Sequence, residues 1–316
     1  MQNEERKKKA FNPFKYILSY ISICVFYLFF KMPAFLVIFL TEATGLIIWM
    51  LGLSLRFQAM RNLRLVYGDK LTRKELKAIA RSSIKHIVRM FLEFGYYLRP
   101  PFEVAEEIPI EGEEYLKEAL EGGRGVLAVG SHVGNFMLLL CSLSLRGYPI
   151  SFLYKEPKDE RVKNYVRRLQ EKIKLKVIPV KPRNEAAARS KSTLEKGEIL
   201  WVALDQDTRG RAVGVEFFGV KATMPPGPAE LIAETGAAVL PMYMRRNGWM
   251  DHTIVVKKPL KINLTSDEEK DVYNILKRIN EELEEIILAN PKEWWWVHRR
   301  WKRAYKYEDD PALGED

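Results

Sequence analysis

From Pro101 onward the chain alternates short apolar runs with longer amphipathic stretches. The runs at 126–129, 150–154, 176–180, 199–204, 238–244 and 253–256 read as strands. The stretches at 112–121, 135–145, 159–173, 186–196 and 229–235 carry helical spacing, and a long helix at 267–289 stops before Pro291. This order predicts an α/β fold with a mostly parallel central sheet flanked by helices. Open sheets of this kind place ligands at the carboxyl ends of their strands. Two polar clusters follow strand ends here: Ser131-His132 after the run at 126–129, and Asp205-Gln206-Asp207 after the run at 199–204.

The first part of the chain has a different pattern. Residues 17–30 carry no charge, Lys31 and Pro33 interrupt, and a second apolar run at 34–55 contains Glu42. A spanning helix needs about 20 apolar residues, and neither run is clean. Pro33 marks a bend, and Tyr16, Tyr20, Phe26, Tyr27 and Trp49 are residues that favour a membrane interface. The pattern predicts an N-terminal apolar helical anchor, as one spanning helix or as a bent monotopic insertion. A buried core hairpin is the plainer alternative. A cleaved signal peptide fits poorly, because the region is long and shows no small-residue cleavage site. The cluster Arg6-Lys7-Lys8-Lys9 favours a cytoplasmic N-terminus. The expected division is an anchoring segment at 1–57 and an α/β domain at 58–316. Between them, 61–97 reads as two helices joined at Gly68-Asp69-Lys70, with Thr72 and Glu75 at the spacing of a capping box. His86, inside the second helix, reads as a packing residue.

Charge narrows the partners. Lys and Arg outnumber Asp and Glu by 51 to 41, giving a net charge of +10. A basic chain suits anionic partners: a membrane surface, phosphorylated substrates or nucleic acid. The apolar N-terminus speaks for the membrane and against nucleic acid. The two cysteines, Cys24 and Cys141, sit in apolar runs, and no HExxH or CxxC pattern occurs, so neither a disulfide framework nor a metal site is expected.

The candidate chemistry centres on His132. A histidine at a strand-to-helix turn beside small residues is well placed for a general base, and equally for a structural helix-start residue. Asp205 and Asp207 have the chemistry to orient a base, bind a cation or close an Asx-turn. Met224-Pro225-Pro226-Gly227-Pro228 reads as a rigid loop entering a helix. Lys155, Lys158, Arg161, Lys163, Arg167 and Arg168 crowd one segment, as a solvated face or as a phosphate-binding wall. Near the C-terminus, Trp294-Trp295-Trp296, His298-Arg299-Arg300 and Trp301 mix aromatic and basic groups, as a core edge, an interfacial belt or a headgroup site.

Taken together, Ser131-His132-Val133-Gly134-Asn135, Asp205-Gln206-Asp207, Phe217-Phe218-Gly219, Arg61-Asn62-Leu63, 71–75 and the tract from Pro291 to Lys302 resemble the bacterial lipid A biosynthesis acyltransferases, within the wider His-x4-Asp/Glu glycerolipid acyltransferases. The likeness runs over about residues 14–303. It implies transfer of a fatty acyl group from an acyl carrier protein or coenzyme A thioester to a hydroxyl of a membrane glycolipid, such as a lipid A precursor. No cofactor or metal is implied. The setting would be an anionic membrane surface at the cytoplasmic face of the bacterial inner membrane. His132 would be the general base and Asp205 a further catalytic residue, with Asn135, Gln206, Arg167 and Arg168 binding substrate. One position departs from the pattern: Met137 stands where the family carries its carboxylate. Loss of the acid beside a catalytic histidine costs up to about 10⁴ in rate, so an impaired enzyme is expected. An engineered substitution is the preferred explanation. The others are a natural variant that draws its acid from Asp205 or Asp207, and a non-catalytic lipid-binding relative of the same fold.

Overall fold

A computed structural model describes residues 31–100, 102–208 and 210–302, together with Tyr20 and Leu28. The basic cluster at 6–9 and nearly all of the apolar run at 17–30 lie outside the described residues.

From Lys31 onward the chain forms α1 (Ala34–Leu51), breaks at Gly52, and continues through α2 (Leu53–Tyr67) and α3 (Arg73–Tyr97). The expected capping box forms at the start of α3: Thr72 Oγ1 accepts from the Glu75 amide at 3.3 Å, and Glu75 accepts from the Thr72 amide at 2.7 Å. A short α4 (Glu103–Glu106) and β1 (Ile110–Glu111) lead into the alternating part. There follow α5 (Glu113–Glu121), β2 (Val126–Gly130), α6 (Phe136–Leu145), β3 (Ile150–Tyr154), α7 (Glu160–Lys172), β4 (Lys176–Pro179), α8 (Arg183–Glu195) and β5 (Ile199–Ala203). The chain then forms β6 (Val213–Phe217), β7 (Val220–Met224), α9 (Gly227–Thr235), β8 (Ala238–Gly248), β9 (Asp251–Val256) and α10 (Glu268–Ala289).

The predicted mostly parallel sheet is present, with seven strands in the order β1-β9-β8-β2-β5-β3-β4. Only the β8–β9 pair is antiparallel within it. Its central strand, β2, is buried at every position. Alternate residues feed two separate cores. Leu127 and Val129 pack with Leu63, Ile79, Ile232, Leu283 and the tryptophans of the C-terminal tract. Val126 and Ala128 pack with Leu138, Cys141 and Tyr97. Burial on both faces explains why β2 reads as a continuous apolar run rather than an alternating one.

Two features depart from the sequence pattern. Strand β8 extends to Gly248, beyond the expected 238–244, because it runs on into a hairpin with β9. The segment 213–224, to which the sequence pattern assigned no element, is an antiparallel hairpin, β6–β7. Phe218 and Gly219 form its two-residue turn, both with positive φ (55° and 70°), as a type I′ turn requires.

The apolar run at 34–55 is divided at Gly52. Helix α1 is long and apolar enough to cross a membrane by length and composition, yet it lies along α3. Val37, Thr41, Gly45 and Trp49, one per turn, face the body and are buried. Gly45 packs on the Lys85 side chain, and Lys85 reaches Glu42 at 3.0 Å. The opposite side exposes Phe35, Phe39, Ile47, Met50 and Leu51, the last at 77%.

Candidate active site

The sheet register brings the two polar clusters together. Gly130 at the end of β2 pairs with Ala203 at the end of β5, and the Leu204 amide donates to the Gly130 carbonyl at 3.1 Å. His132 and Asp205 each lie two residues further on, so they meet at the same level. From β2 the chain crosses toward β3, and from β5 it returns to β8 on the other flank of β2. That divergence opens the crevice in which sheets of this class hold ligands.

Asp205 binds His132 twice. Its Oδ1 lies 2.8 Å from His132 Nδ1, and its Oδ2 accepts the His132 backbone amide at 2.8 Å. The Trp294 indole donates to the same Oδ2 at 2.7 Å. Burial alone would raise the Asp205 carboxyl, but the His132 contacts and the Trp294 hydrogen bond outweigh it and hold the group at about 2. An ionised partner on Nδ1 fixes the imidazole tautomer: the proton sits on Nδ1, and Nε2 carries the lone pair. The Gln206 amide nitrogen is nearly equidistant from Nδ1 (3.3 Å) and Nε2 (3.0 Å). This places the amide over the ring face, clear of the in-plane lone pair of Nε2. Phe136 meets the ring edge-on at 4.9 Å, and Trp295 packs against it, also at 4.9 Å. The imidazole is thus held on several sides while the His132 side chain stays 14% exposed.

The loop carrying His132 is fixed from below by α3. His86 Nε2 lies 3.2 Å from the Gly134 carbonyl oxygen. Asn135 donates to the Met90 carbonyl at 3.2 Å and caps α6 by accepting from the Leu138 amide at 3.2 Å. Gly134 has φ of 63°, and a Cβ there would stand 1.8 Å from the Met244 carbonyl oxygen, so no other residue fits. His86 is buried, and burial together with Arg246 holds its imidazole down at about 3, in keeping with a packing role.

The C-terminal tract 291–302 forms a strap across this end of the sheet. Asn62 donates to the Trp296 and His298 carbonyls, both at 2.7 Å. Ser83 hydrogen-bonds the Trp294 carbonyl. Arg300, fully buried, donates to the Thr223 carbonyl at 2.7 Å and lies near enough to Asp205 and Asp207 to feel both charges. Just before the tryptophans, Glu293 has one carboxylate oxygen sealed from solvent with no hydrogen-bond partner among the described residues. Burial pushes its carboxyl up to about 7, against the opposing pull of Arg246 and Arg89. Those two arginines are engaged by Glu93, at 2.7 and 2.8 Å.

Asn135 is fully buried with both ends of its amide in use. Met137 sits in the first turn of α6 and is partly buried. Asp207 accepts the Thr223 hydroxyl at 2.7 Å. Arg167 and Arg168 are exposed on α7, which joins the outer strands β3 and β4, and no described contact brings them to the His132–Asp205 pair. A separate cavity of about 370 Å³, lined by Ser151, Lys176, Arg189, Thr193 and Lys196, lies at the opposite ends of β3 and β4. Sequence reading missed the direct part of Trp294 and Trp295. The available signal was their place three and four residues after Pro291, beyond the end of a helix that packs on the strand face carrying Val129.

Comparison with known proteins identifies the family. The family profile described as Bacterial lipid A biosynthesis acyltransferase matches residues 4–303. The phosphatidylinositol mannoside acyltransferase of Mycolicibacterium smegmatis is 24% identical over 271 residues, covering 81% of this chain and 83% of the relative. Two Escherichia coli proteins match over 91% of this chain and 92% of their own length. They are the lipid A biosynthesis palmitoleoyltransferase, at 23% identity, and the lipid A biosynthesis lauroyltransferase, at 24%. With nearly the whole length matched and the ordered motifs converging on one end of the sheet, this chain belongs to the bacterial lipid A biosynthesis acyltransferase family.

Proposed function

We propose that this protein transfers a fatty acyl group from an acyl thioester to a hydroxyl of a membrane glycolipid, with His132 as general base and Asp205 as the acid that orients it. The observation that carries this reading is the doubly anchored His132–Asp205 pair, open at Nε2, in a member of an acyltransferase family. Nε2 takes the proton of the acceptor hydroxyl as its oxygen attacks the thioester carbonyl. The imidazolium so formed is stabilised by the ionised Asp205 through Nδ1–H. Collapse of the tetrahedral intermediate breaks the carbon–sulfur bond, and the proton on Nε2 passes to the departing thiolate. The products are an ester and a free thiol.

On this reading Met137 does not leave the base without an acid, because Asp205 reaches the imidazole from the neighbouring strand. Acyl transfer measured with lauroyl-coenzyme A and with lauroyl-acyl carrier protein, onto a lipid A precursor and onto a mannosylated phosphatidylinositol, tests it. Asp205→Asn is expected to lower kcat by about 10²–10⁴-fold with little change in KM, while Met137→Glu changes the rate little. If Met137→Glu instead restores activity to an inert parent chain, the missing family carboxylate is the acid that matters and Asp205 is not. If neither form transfers acyl groups with any pairing, the lipid-binding reading stands in place of the enzyme.

The exposed apolar row on α1 supports attachment to an anionic membrane surface. A helix fastened lengthwise to α3, whose first half exposes Arg73, Lys74, Lys77 and Arg81, suits a surface-lying position better than a spanning one, since burying those charges in hydrocarbon is costly. The body then stays on the side of the basic N-terminal cluster, the cytoplasmic face of the bacterial inner membrane.

A further inference from the structure

We infer that the indole N–H of Trp295 is the hydrogen-bond donor that receives the thioester carbonyl oxygen as it becomes an oxyanion. This inference rests on the acyl-transfer reading above and assigns a further catalytic residue to the same site. The strap carries four tryptophans, and three of their N–H groups have acceptors. Trp294 donates to Asp205 at 2.7 Å, Trp296 to the Pro291 carbonyl at 2.7 Å and Trp301 to the Phe217 carbonyl at 3.3 Å. The fourth, Trp295 Nε1, is shielded from water with no partner among the described residues. It belongs to the ring that packs on His132 at 4.9 Å. A shielded donor without an acceptor costs about 1–3 kcal/mol, and native structures rarely leave one without a functional reason.

The neighbouring donors are less suited to the task. The His132 backbone amide is committed to Asp205 Oδ2. The Leu138 amide is committed to Asn135. Arg300 has free N–H groups but is sealed at 0% exposure. Trp295 is only half-buried, so part of its ring reaches the surface beside His132. A small rotation of that ring on donor binding turns the N–H toward the acyl carbonyl. Phe136, itself 6.1 Å from Trp295 and stacked on Trp201 at 5.6 Å, supplies the apolar wall beside it. A neutral donor in such a dry aromatic setting stabilises negative charge that appears only in the transition state. The proton remains on the indole throughout.

The test uses the whole protein and lauroyl-coenzyme A isotope-labelled at its thioester carbonyl. Infrared difference spectra without acceptor report hydrogen bonding to the bound carbonyl. Steady-state kinetics and thermal melting are measured alongside. Trp295→Phe keeps a ring and removes the N–H. In the unsubstituted protein the carbonyl stretch is expected to move to lower frequency than in free donor, and in Trp295→Phe the shift is lost. The kcat of Trp295→Phe falls about 10²–10³-fold with KM nearly unchanged, and its melting midpoint does not fall. A carbonyl shift that survives Trp295→Phe overturns the inference. So does a shift abolished by His298→Ala instead, or a rate loss that tracks a lower melting midpoint. An unsubstituted protein that neither binds nor transfers the acyl group removes the acyl-transfer reading itself, a result separable from failure of the tryptophan alone.

Discussion

The residues that make this site are far apart in sequence and few in kind. His132 was legible as a candidate base from its strand-to-helix turn, and Asp205 from its place after another strand. Sequence left open which acid serves the histidine, because 73 residues separate them and only the register of β2 against β5 closes the gap. Met137 stands in the first turn of α6, whereas Asp205 reaches the imidazole from the neighbouring strand. Glu293 illustrates a property that no sequence displays. Its raised pKa arises from burial. A carboxyl held at about 7 when folded, against an ordinary value of 4.5, favours the folded state fully below pH 4.5, and this contribution is lost as pH rises through 7. Melting midpoints measured from pH 5 to pH 8 should therefore fall more steeply for the unsubstituted protein than for Glu293→Gln, whose amide does not titrate. Equal slopes would show that Glu293 is ordinary in the folded protein.

Most elements could be read from periodicity because their burial is regular: α3 by its capping box, α10 by its long amphipathic face, β2 by an unbroken apolar run. The β6–β7 hairpin was not legible. Its turn uses Phe218 at positive φ, where Asn or Asp is the usual signal, and the hairpin is held by contacts remote in sequence, including the Phe218 amide donating to Glu284 at 2.6 Å. The strap was legible as an unusual composition but not as an element, since it has neither helical nor strand period. What holds it is side-chain to backbone bonding from two helices, and Asn62 is the chief clamp. Asn62→Leu leaves two buried carbonyls without their donor. It is expected to cost about 2–4 kcal/mol by denaturant unfolding and to lower kcat together with it, because the strap brings Trp294 to Asp205. A variant that loses stability while retaining full kcat would show that the strap does not set the geometry of Asp205.

At the scale of the whole molecule, one end of the sheet gathers the chemistry while α1 presents an apolar surface on the flank of α3. The sequence showed the apolar run but not its lengthwise attachment, because Val37, Thr41, Gly45 and Trp49 differ in polarity and share only their position on one side of a helix. Replacing Phe35, Phe39 and Leu51 together by Ser should release the protein from vesicles containing anionic lipid in a flotation assay. Because these side chains are exposed, the melting midpoint should move little. Release accompanied by unfolding would instead place the row in the structural core. The attachment of α1 along α3 carries a mechanical consequence if the surface-lying position proposed above holds. A helix laid flat takes up area in the leaflet it enters and none in the other, so its insertion strains the bilayer toward convexity on that side. Vesicles already curved or loosely packed on their outer face would then recruit the protein more readily than flat, tightly packed ones, and lateral membrane pressure would become a variable to which acylation of the lipid responds.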